Sequence, residues 1–171
     1  MENFTNETID TKQLPRYEEV QLSALHPKYW IVSLMNTTVV FVVLGIALGF
    51  VWYNSEEFSQ VGVYFLLAYL LVLVIALLLT RIGFKKKGFA FREHDVIYRN
   101  GIIATNTMVI PYNRVQHVAL HEGLISRYLG LAKVEIFTAG GSSSDVEIPG
   151  IAKEEAENIK QLLMGKIQKQ L

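Results

Sequence analysis

The chain has no cysteine among its 171 residues. This absence excludes disulfide bonds, thiol catalysis, and zinc or iron–sulfur sites with cysteine ligands. Charged residues are missing from two long stretches, 29–53 and 61–80, and the formal net charge of the whole chain is zero. A neutral chain is not typical of a general nucleic-acid binder, which needs a basic surface. We therefore expect no nucleic-acid partner, and no motif in the sequence indicates a cofactor.

The two uncharged stretches predict two transmembrane helices, over 29–53 and 61–82. A helix crosses the hydrocarbon core of a bilayer with roughly 20 apolar residues, because each residue adds about 1.5 Å. The first stretch carries Tyr29 and Trp30 at one end and Trp52 and Tyr53 at the other. Such aromatic rings prefer the headgroup layers on the two sides of a membrane. The sequence thus predicts a membrane hairpin with a short outside loop.

Four basic residues follow the second stretch, namely Arg81, Lys85, Lys86 and Lys87, whereas the loop 54–60 contains acids and no base. Under the positive-inside rule, this asymmetry places the basic side in the cytoplasm. We expect a multi-pass membrane protein with both termini cytoplasmic. The same four cations have a second interpretation as a collar for anionic lipid headgroups. The topology signal is sufficient by itself to explain them.

Polar and small residues interrupt the first predicted span. Asn36, Thr37 and Thr38 are expected to bond to the neighbouring helix or to their own backbone, with a polar site in the membrane as the alternative. Gly45 and Gly49 form a GxxxG pattern, which favours close approach of two helices.

The first 28 residues are mostly polar and show no sustained period, and Pro15 interrupts them. This composition predicts a flexible cytoplasmic tail over 1–28. An alternative is that the segment from Leu14 to Leu25 docks on the membrane or on the globular domain.

From Gly88 the pattern changes to short strands, which predict a mainly-β domain over 83–171. Asn100-Gly101 is the strongest hairpin signal. The predicted strands are 89–92, 96–99, 102–104, 108–110, 115–120, 133–138 and 145–148. A helix is predicted over 152–171, and its apolar stripe is expected to pack on the strands rather than on the membrane surface.

Several segments resemble the bacterial pleckstrin-homology-like (PH-like) domain of the membrane-flanked protein family. They are RNGII at 99–103, IPYNRVQHV at 110–118, GLISRYLGLAKVEIFTAGG at 123–141 and EIPGI at 147–151. The resemblance covers roughly 85–168. It implies an open, bent β-barrel capped by a C-terminal α-helix, next to a membrane hairpin. It also implies no generally established enzymatic activity. Relatives often occur beside a larger protein with several copies of the domain, so the expected partner is such a protein or a second copy.

Eukaryotic pleckstrin domains bind phosphoinositides through basic residues in the loop between their first two strands. Here that loop is Glu93-His94-Asp95, which is short and acidic, so we expect the specific lipid pocket to be absent. His117 and His121 are expected to be ordinary barrel residues rather than metal ligands, because the spacing of a zinc-binding helix is not met.

Arg114 and Arg127 each lie next to a turn inside one of the family-like segments. Arginine can clamp a carboxylate or a phosphate with two hydrogen bonds. Each side chain is therefore interpreted either as tying a loop to the barrel or as contacting a partner. We see no catalytic set and expect no enzyme. The predicted function is a membrane-anchored interaction or scaffold module, and the alternative is a module that binds or handles anionic lipids.

Overall fold

The computed structural model describes residues 17–139 and 146–168 of the chain. In this part, two helices are long and apolar enough to cross a membrane, and most of their surface is exposed in the isolated chain. Helix α1 spans Tyr29–Asn54 and helix α2 spans Glu56–Lys86. Helix α2 begins earlier than predicted, which reduces the connection to Ser55. It also continues past residue 82 by about one further turn, to Lys86.

Contacts between polar side chains and backbone join α1 to α2. The Thr37 hydroxyl donates to the carbonyl of Ser33 at 3.0 Å and lies 3.3 Å from the hydroxyl of Thr80. The Tyr69 hydroxyl crosses the hairpin and donates to the carbonyl of Phe41 at 2.7 Å. The structural interpretation of Thr37 is therefore confirmed.

The GxxxG pattern in α1 is only partly used for helix contact. A methyl group at Gly45 would lie 3.0 Å from the Tyr69 hydroxyl, whereas one at Gly49 would meet nothing within 4 Å. The sequence did not single out Gly62, although a methyl group there would lie 2.8 Å from the ring of Trp52. The two helices thus approach each other closely at Gly45 of α1 and at Gly62 of α2, and not at both glycines of the GxxxG pattern.

The rest of the described chain forms a domain of two antiparallel sheets. The first sheet has the order β1-β2-β3-β4 and the second has the order β5-β6-β7. The strands are β1 (Ser23–Ala24), β2 (Gly88–Phe91), β3 (Asp95–Asn100), β4 (Asn106–Pro111), β5 (Val115–His121), β6 (Leu131–Thr138) and β7 (Val146–Ala152). A 3-10 turn, Tyr112–Arg114, joins the sheets, and a short helix α3 (Leu124–Tyr128) joins β5 to β6. The two sheets do not close into a complete barrel.

The hairpin predicted at Asn100-Gly101 is confirmed, but its connection is longer than expected. Strand β3 ends at Asn100 and β4 begins at Asn106. The predicted strand 102–104 is wrong, because these residues belong to the loop and Ile102 packs on α2. A methyl group at Gly83 of α2 would lie 3.2 Å from Cγ1 of Ile102. Tertiary packing on the membrane helix thus overrides local β propensity.

Helix α4 (Lys153–Gln168) covers the core between the two sheets. Its buried stripe is Ala156, Ile159 and Leu163, which pack against the inner faces of the strands. Near its end, the Lys166 ammonium donates to the carbonyl of Glu93 at 2.9 Å, which ties the helix to the turn between β2 and β3. The predicted fold, a PH-like barrel capped by a C-terminal helix, is confirmed.

The segment just before α1 is part of the domain. Ser23–Ala24 pairs with β2, Leu25 is 3% exposed, and the backbone N–H of His26 donates to the carbonyl of Gly150 on β7 at 2.8 Å. The prediction of a flexible tail is therefore wrong for this segment, and the alternative of docking on the domain is right. Strand β1 has only two residues, which is too short for a strand pattern to be recognised in the sequence. Residues 1–16 lie outside the described residues.

One seam of the open barrel is held by these contacts. The ring of Tyr29, the first residue of α1, lies against Gly150, whose φ is +66°. A methyl group at Gly150 would overlap that ring, with the Cβ atom of Tyr29 only 2.6 Å away. The residues that follow β1 thus join the first sheet to β7 of the second sheet through one hydrogen bond and one aromatic contact. On the other side of the barrel, β4 and β5 are the facing edges of the two sheets and do not pair.

Candidate functional site

The domain meets the membrane helices at one end, which we call the helix-proximal end. The Arg81 guanidinium of α2 lies over the ring of Trp30 of α1, 4.8 Å from its centroid. The Phe84 ring follows at 6.1 Å from that of Trp30. The cation and the rings are the side chains that favour a headgroup layer. Arg81 therefore contacts α1, and it does not join the three lysines that follow it.

Those three lysines line a groove of about 400 Å³ between the end of α2 and the first sheet. We call it the basic groove. Its lining also includes Arg99 on β3, which the sequence did not single out. The register of the β2–β3 hairpin explains this, since Gly88 pairs with Arg99. Lysines just before Gly88 are therefore brought next to an arginine twelve to fourteen positions later in the chain.

The lining of the basic groove contains four cations and no carboxylate. The cations are Lys85, Lys86, Lys87 and Arg99. Within the described chain the ion pairs lie elsewhere, and none of them includes one of these four cations. Burial lowers the pKa of the Lys87 ammonium below its ordinary value. The direction of that shift shows a partly dehydrated cation that no carboxylate stabilises. An anion in the groove would supply the missing charge.

A loop over 101–105 contributes Thr105 to the lining of the basic groove and is fixed to α2. The Lys86 ammonium donates to the carbonyl of Ile102 at 2.6 Å, and Ile102 packs on Gly83. The next residue, Ile103, is 97% exposed. An apolar side chain that is exposed to this degree stands beside the groove and at the end of the domain that contacts the membrane helices.

A second groove, of about 530 Å³, follows the outer edge of β4. We call it the edge groove. It is lined mainly by apolar residues of β4, together with Arg114 and Thr138: Met108, Val109, Ile110 and Pro111. Strand β4 is the terminal strand of its sheet, and no residue from Asn106 to Ile110 is charged. Pro111 has no N–H to offer and lies at the end of this edge strand, where proline is tolerated. The edge offers backbone groups and an apolar surface for pairing.

A third groove, of about 510 Å³, lies between the start of α1 and the second sheet. Its main cation is engaged internally: the Lys133 ammonium lies 2.6 Å from Glu135 and 2.8 Å from Glu147. Burial lowers the pKa of Lys133, but hydrogen bonds to Glu135 and Glu147 outweigh it, so the net pKa is raised. Glu135 and Glu147 face each other across β6 and β7, and the ammonium between them offsets their repulsion. Lys87 lines this groove as well as the basic groove, and its ammonium lies 5.9 Å from the centroid of the Tyr29 ring.

The two arginines singled out from the sequence are not brought together. Arg114 ends the 3-10 turn and lines the edge groove, and its carbonyl accepts a hydrogen bond from the N–H of Ala139 at 3.1 Å. Arg127 lies on α3 and is exposed. Both remain candidate contact residues, on different surfaces of the domain.

The acidic turn between β2 and β3 is built for internal bonding. The Arg92 guanidinium forms a bidentate pair with Asp95, and its Nε donates to Oδ1 at 2.6 Å. The buried Tyr112 hydroxyl donates to the carbonyl of Arg92, also at 2.6 Å. The Arg92 cation at this turn is therefore already paired.

His117, on β5, stacks on Phe137 with ring centroids 4.0 Å apart. Across the described ranges, no cluster of three histidines or carboxylates is placed to hold a metal ion.

Comparisons with known proteins agree with this architecture. Over 88 residues, the chain is 28% identical to the UPF0699 transmembrane protein YdbS of Bacillus subtilis (strain 168), which is 52% of this chain and 54% of YdbS. Over 85 residues it is 32% identical to the UPF0699 transmembrane protein YdbT of the same organism, which is 48% of this chain and 17% of YdbT. The chain thus spans about half of the first relative and a small part of the second. No solved structure gives a significant match.

The family model that matches the chain is described as a bacterial PH domain, and it covers residues 21–167. Its match begins before α1, and therefore includes the edge strand β1 and both membrane helices as well as the barrel. Two apolar helices, two open antiparallel sheets and a capping helix occupy that range. This chain belongs to the membrane-associated bacterial PH domain family.

Proposed function

We propose that this chain is a membrane-anchored interaction module whose PH-like domain assembles, at the cytoplasmic face, with a second copy or with a related membrane protein. The observation that carries the proposal is the open edge of β4. In this view the chain acts by binding and not by catalysis.

The anchoring part of the proposal rests on the lengths and flanks of α1 and α2. From Trp30 to Trp52, α1 rises about 33 Å, which matches a hydrocarbon core of about 30 Å. The basic residues at the end of α2 support a cytoplasmic position for the helix-proximal end, and the antiparallel hairpin puts both of its ends on that side.

The assembly part rests on the chemistry of β4. Terminal strands present unpaired backbone groups, and proteins usually protect them with charges, bulges or a covering element. Strand β4 has no charge before Pro111, and Val109 on it is 40% exposed. On the opposite side of the barrel, the gap between the sheets is already closed by the contacts that His26 and Tyr29, just after β1, make with Gly150. An added strand from another chain would satisfy the free backbone groups of β4 and cover its apolar side chains.

The experiment compares two variants that both replace an exposed apolar residue with lysine. Val109→Lys places a charge on the β4 edge, and Leu162→Lys places one on α4, where Leu162 is 46% exposed. Each full-length protein is extracted from its host's membranes in mild detergent and weighed by native mass spectrometry. We expect a stoichiometric complex for the wild type and Leu162→Lys, and a monomer for Val109→Lys. A wild-type monomer would refute assembly, and a complex that survives Val109→Lys would refute the role of β4.

The absence of cysteine allows a second, independent test in intact membranes. A single Val109→Cys variant is oxidised and compared with Leu162→Cys as the control. If two copies meet along β4, the first variant forms a covalent dimer and the control does not. Equal cross-linking by both variants would show random collision and would contradict an interface at this edge.

A further inference from the structure

The four cations of the basic groove lie just beyond the apolar stretch of α2. Lys85 to Lys87 follow Arg81 by four to six residues along a helix, which is about 6–9 Å. The headgroup layer of one leaflet is about 5–7 Å thick, as the difference between the whole bilayer and its hydrocarbon core shows. If Arg81 and Trp30 mark the boundary of the hydrocarbon, the groove begins at the outer side of the headgroup layer, next to the lipid headgroups.

We infer that the basic groove binds the headgroup of an anionic phospholipid from the leaflet that surrounds the hairpin. It shares with the proposed function only the membrane anchoring of α1 and α2, and it does not depend on the β4 edge. The ligand is recognised by its phosphate and its net negative charge. The groove lies at the opposite end of the β2–β3 hairpin from the acidic turn.

Charge favours an anion in this groove. None of the four cations has a carboxylate partner among the described residues. The Lys87 ammonium lies over the ring of Tyr29 and borders the third groove as well, so Lys85 and Arg99 are the cations that face the basic groove alone. A phosphate oxygen can accept hydrogen bonds from several ammonium groups at once and from the Arg99 guanidinium. The net effect is to replace repulsion among four cations with attraction to one anion.

The surroundings favour a lipid over free phosphate. Ile103 stands next to the groove and is almost fully exposed, which would be unfavourable in water but suits contact with acyl chains. Leu22 and Ala24 add apolar surface to the groove lining. A headgroup with chains attached would satisfy the cations and cover the isoleucine, whereas an inorganic ion would leave Ile103 in water.

The test uses two variants that each remove two exposed positive charges near the helix-proximal end. The double variant Lys85→Gln/Arg99→Gln removes two of the four positive charges from the groove. Neither side chain makes a hydrogen bond or an ion pair among the described residues. Lys28→Gln with Arg127→Gln is the matched control, since Lys28 precedes α1 and Arg127 lies on α3, which contacts α1. Native mass spectrometry of the full chain in detergent, with increasing phosphatidylglycerol or phosphatidylcholine, counts the bound lipids.

We expect the wild type and the control to retain one phosphatidylglycerol in preference to phosphatidylcholine. The groove variant should bind it roughly 30-fold more weakly, from two lost charges near an anionic group, whereas the control should change less than about fivefold. Equal losses in both variants would show general electrostatic attraction and would overturn the site. An unchanged groove variant would overturn it as well.

Two further measurements separate the sources of the anion and the two proposals. Excess inorganic phosphate should not displace the bound lipid, and displacement would overturn the assignment to a lipid. The Val109→Lys variant should keep its lipid while losing its partner. If Val109→Lys lost the lipid too, binding would depend on assembly and the independent site would be refuted.

Discussion

The contact between Tyr29 and Gly150 gives a prediction whose size can be worked out from the structure. Gly150 and Gly130 have nearly the same φ, +66° and +70°. They differ in their surroundings, because a methyl group at Gly130 would meet nothing within 4 Å, and one at Gly150 would overlap Tyr29. Alanine at the two positions therefore separates the backbone penalty from the steric penalty.

Alanine in the left-handed region costs about 1–2 kcal/mol, and the reduced freedom of the unfolded chain offsets roughly half of that. Gly130→Ala should thus lower the free energy of unfolding by about 1 kcal/mol. Gly150→Ala adds the displacement of an aromatic ring, and overpacking of this kind costs about 1–3 kcal/mol. The total for Gly150→Ala is then about 2–4 kcal/mol.

The assay is thermal unfolding of the domain in detergent micelles, followed by circular dichroism. In a domain of this size, 1 kcal/mol shifts the midpoint by about 4–8 °C. We expect a shift of about that size for Gly130→Ala and at least about 8 °C for Gly150→Ala. In a Tyr29→Ala background, Gly150→Ala should cost no more than Gly130→Ala, since the ring is gone. Equal shifts for the two single variants would refute the aromatic contact as the closure of this seam.

Three further predictions concern the interior of the domain and are checked by the same unfolding measurement. Tyr112→Phe should lower the free energy of unfolding by about 1 kcal/mol, because the buried carbonyl of Arg92 loses its hydrogen-bond donor, and an unchanged midpoint would contradict this. Burial raises the pKa of Tyr98 to about 12, whereas the same hydroxyl ionises near pH 10 in the unfolded chain. The unfolded chain therefore releases this proton first, so the stability that depends on the neutral hydroxyl is complete below pH 10 and is lost as the pH rises from about 10 to about 12. The loss is about 3 kcal/mol and should be missing from Tyr98→Phe; an identical pH profile in both would be inconsistent with the burial of this hydroxyl. Leu25→Ala should cost about 2–5 kcal/mol as a core truncation, whereas a flexible tail would tolerate it without change.

Long periodic segments were predictable from the sequence because their signal is local. The two apolar runs, the β3–β4 hairpin and the stripe of α4 all depend on residues that are near each other in the chain. Strand β1 depends on two residues, Ser23–Ala24, whose partners lie more than sixty positions away on β2. A pairing made mostly of backbone hydrogen bonds leaves almost no trace in side-chain pattern, so composition alone indicated a tail.

The basic groove was half predictable. The three lysines were visible as a run, but Arg99 joins them only through the register of the β2–β3 hairpin. That register follows if the turn is centred between Glu93 and His94, because each step away from this centre pairs one residue of β2 with one of β3. The turn was predicted, and extending the pairing to Gly88 would have placed Arg99 beside the lysines. The exposure of Ile103 could not be anticipated, because it results from the packing of Ile102 on α2.

A single residue, Lys87, separates the end of α2 from the first residue of β2. A tilt of the hairpin is therefore transmitted to the sheet with little loss, and the clamp of Lys86 on the loop 101–105 reinforces the connection. Helices tilt more in a thin bilayer and less in a thick one, to match their apolar length to the hydrocarbon core. In the proposed assembly, the angle at which the β4 edge faces a neighbouring chain would therefore change with the thickness of the bilayer.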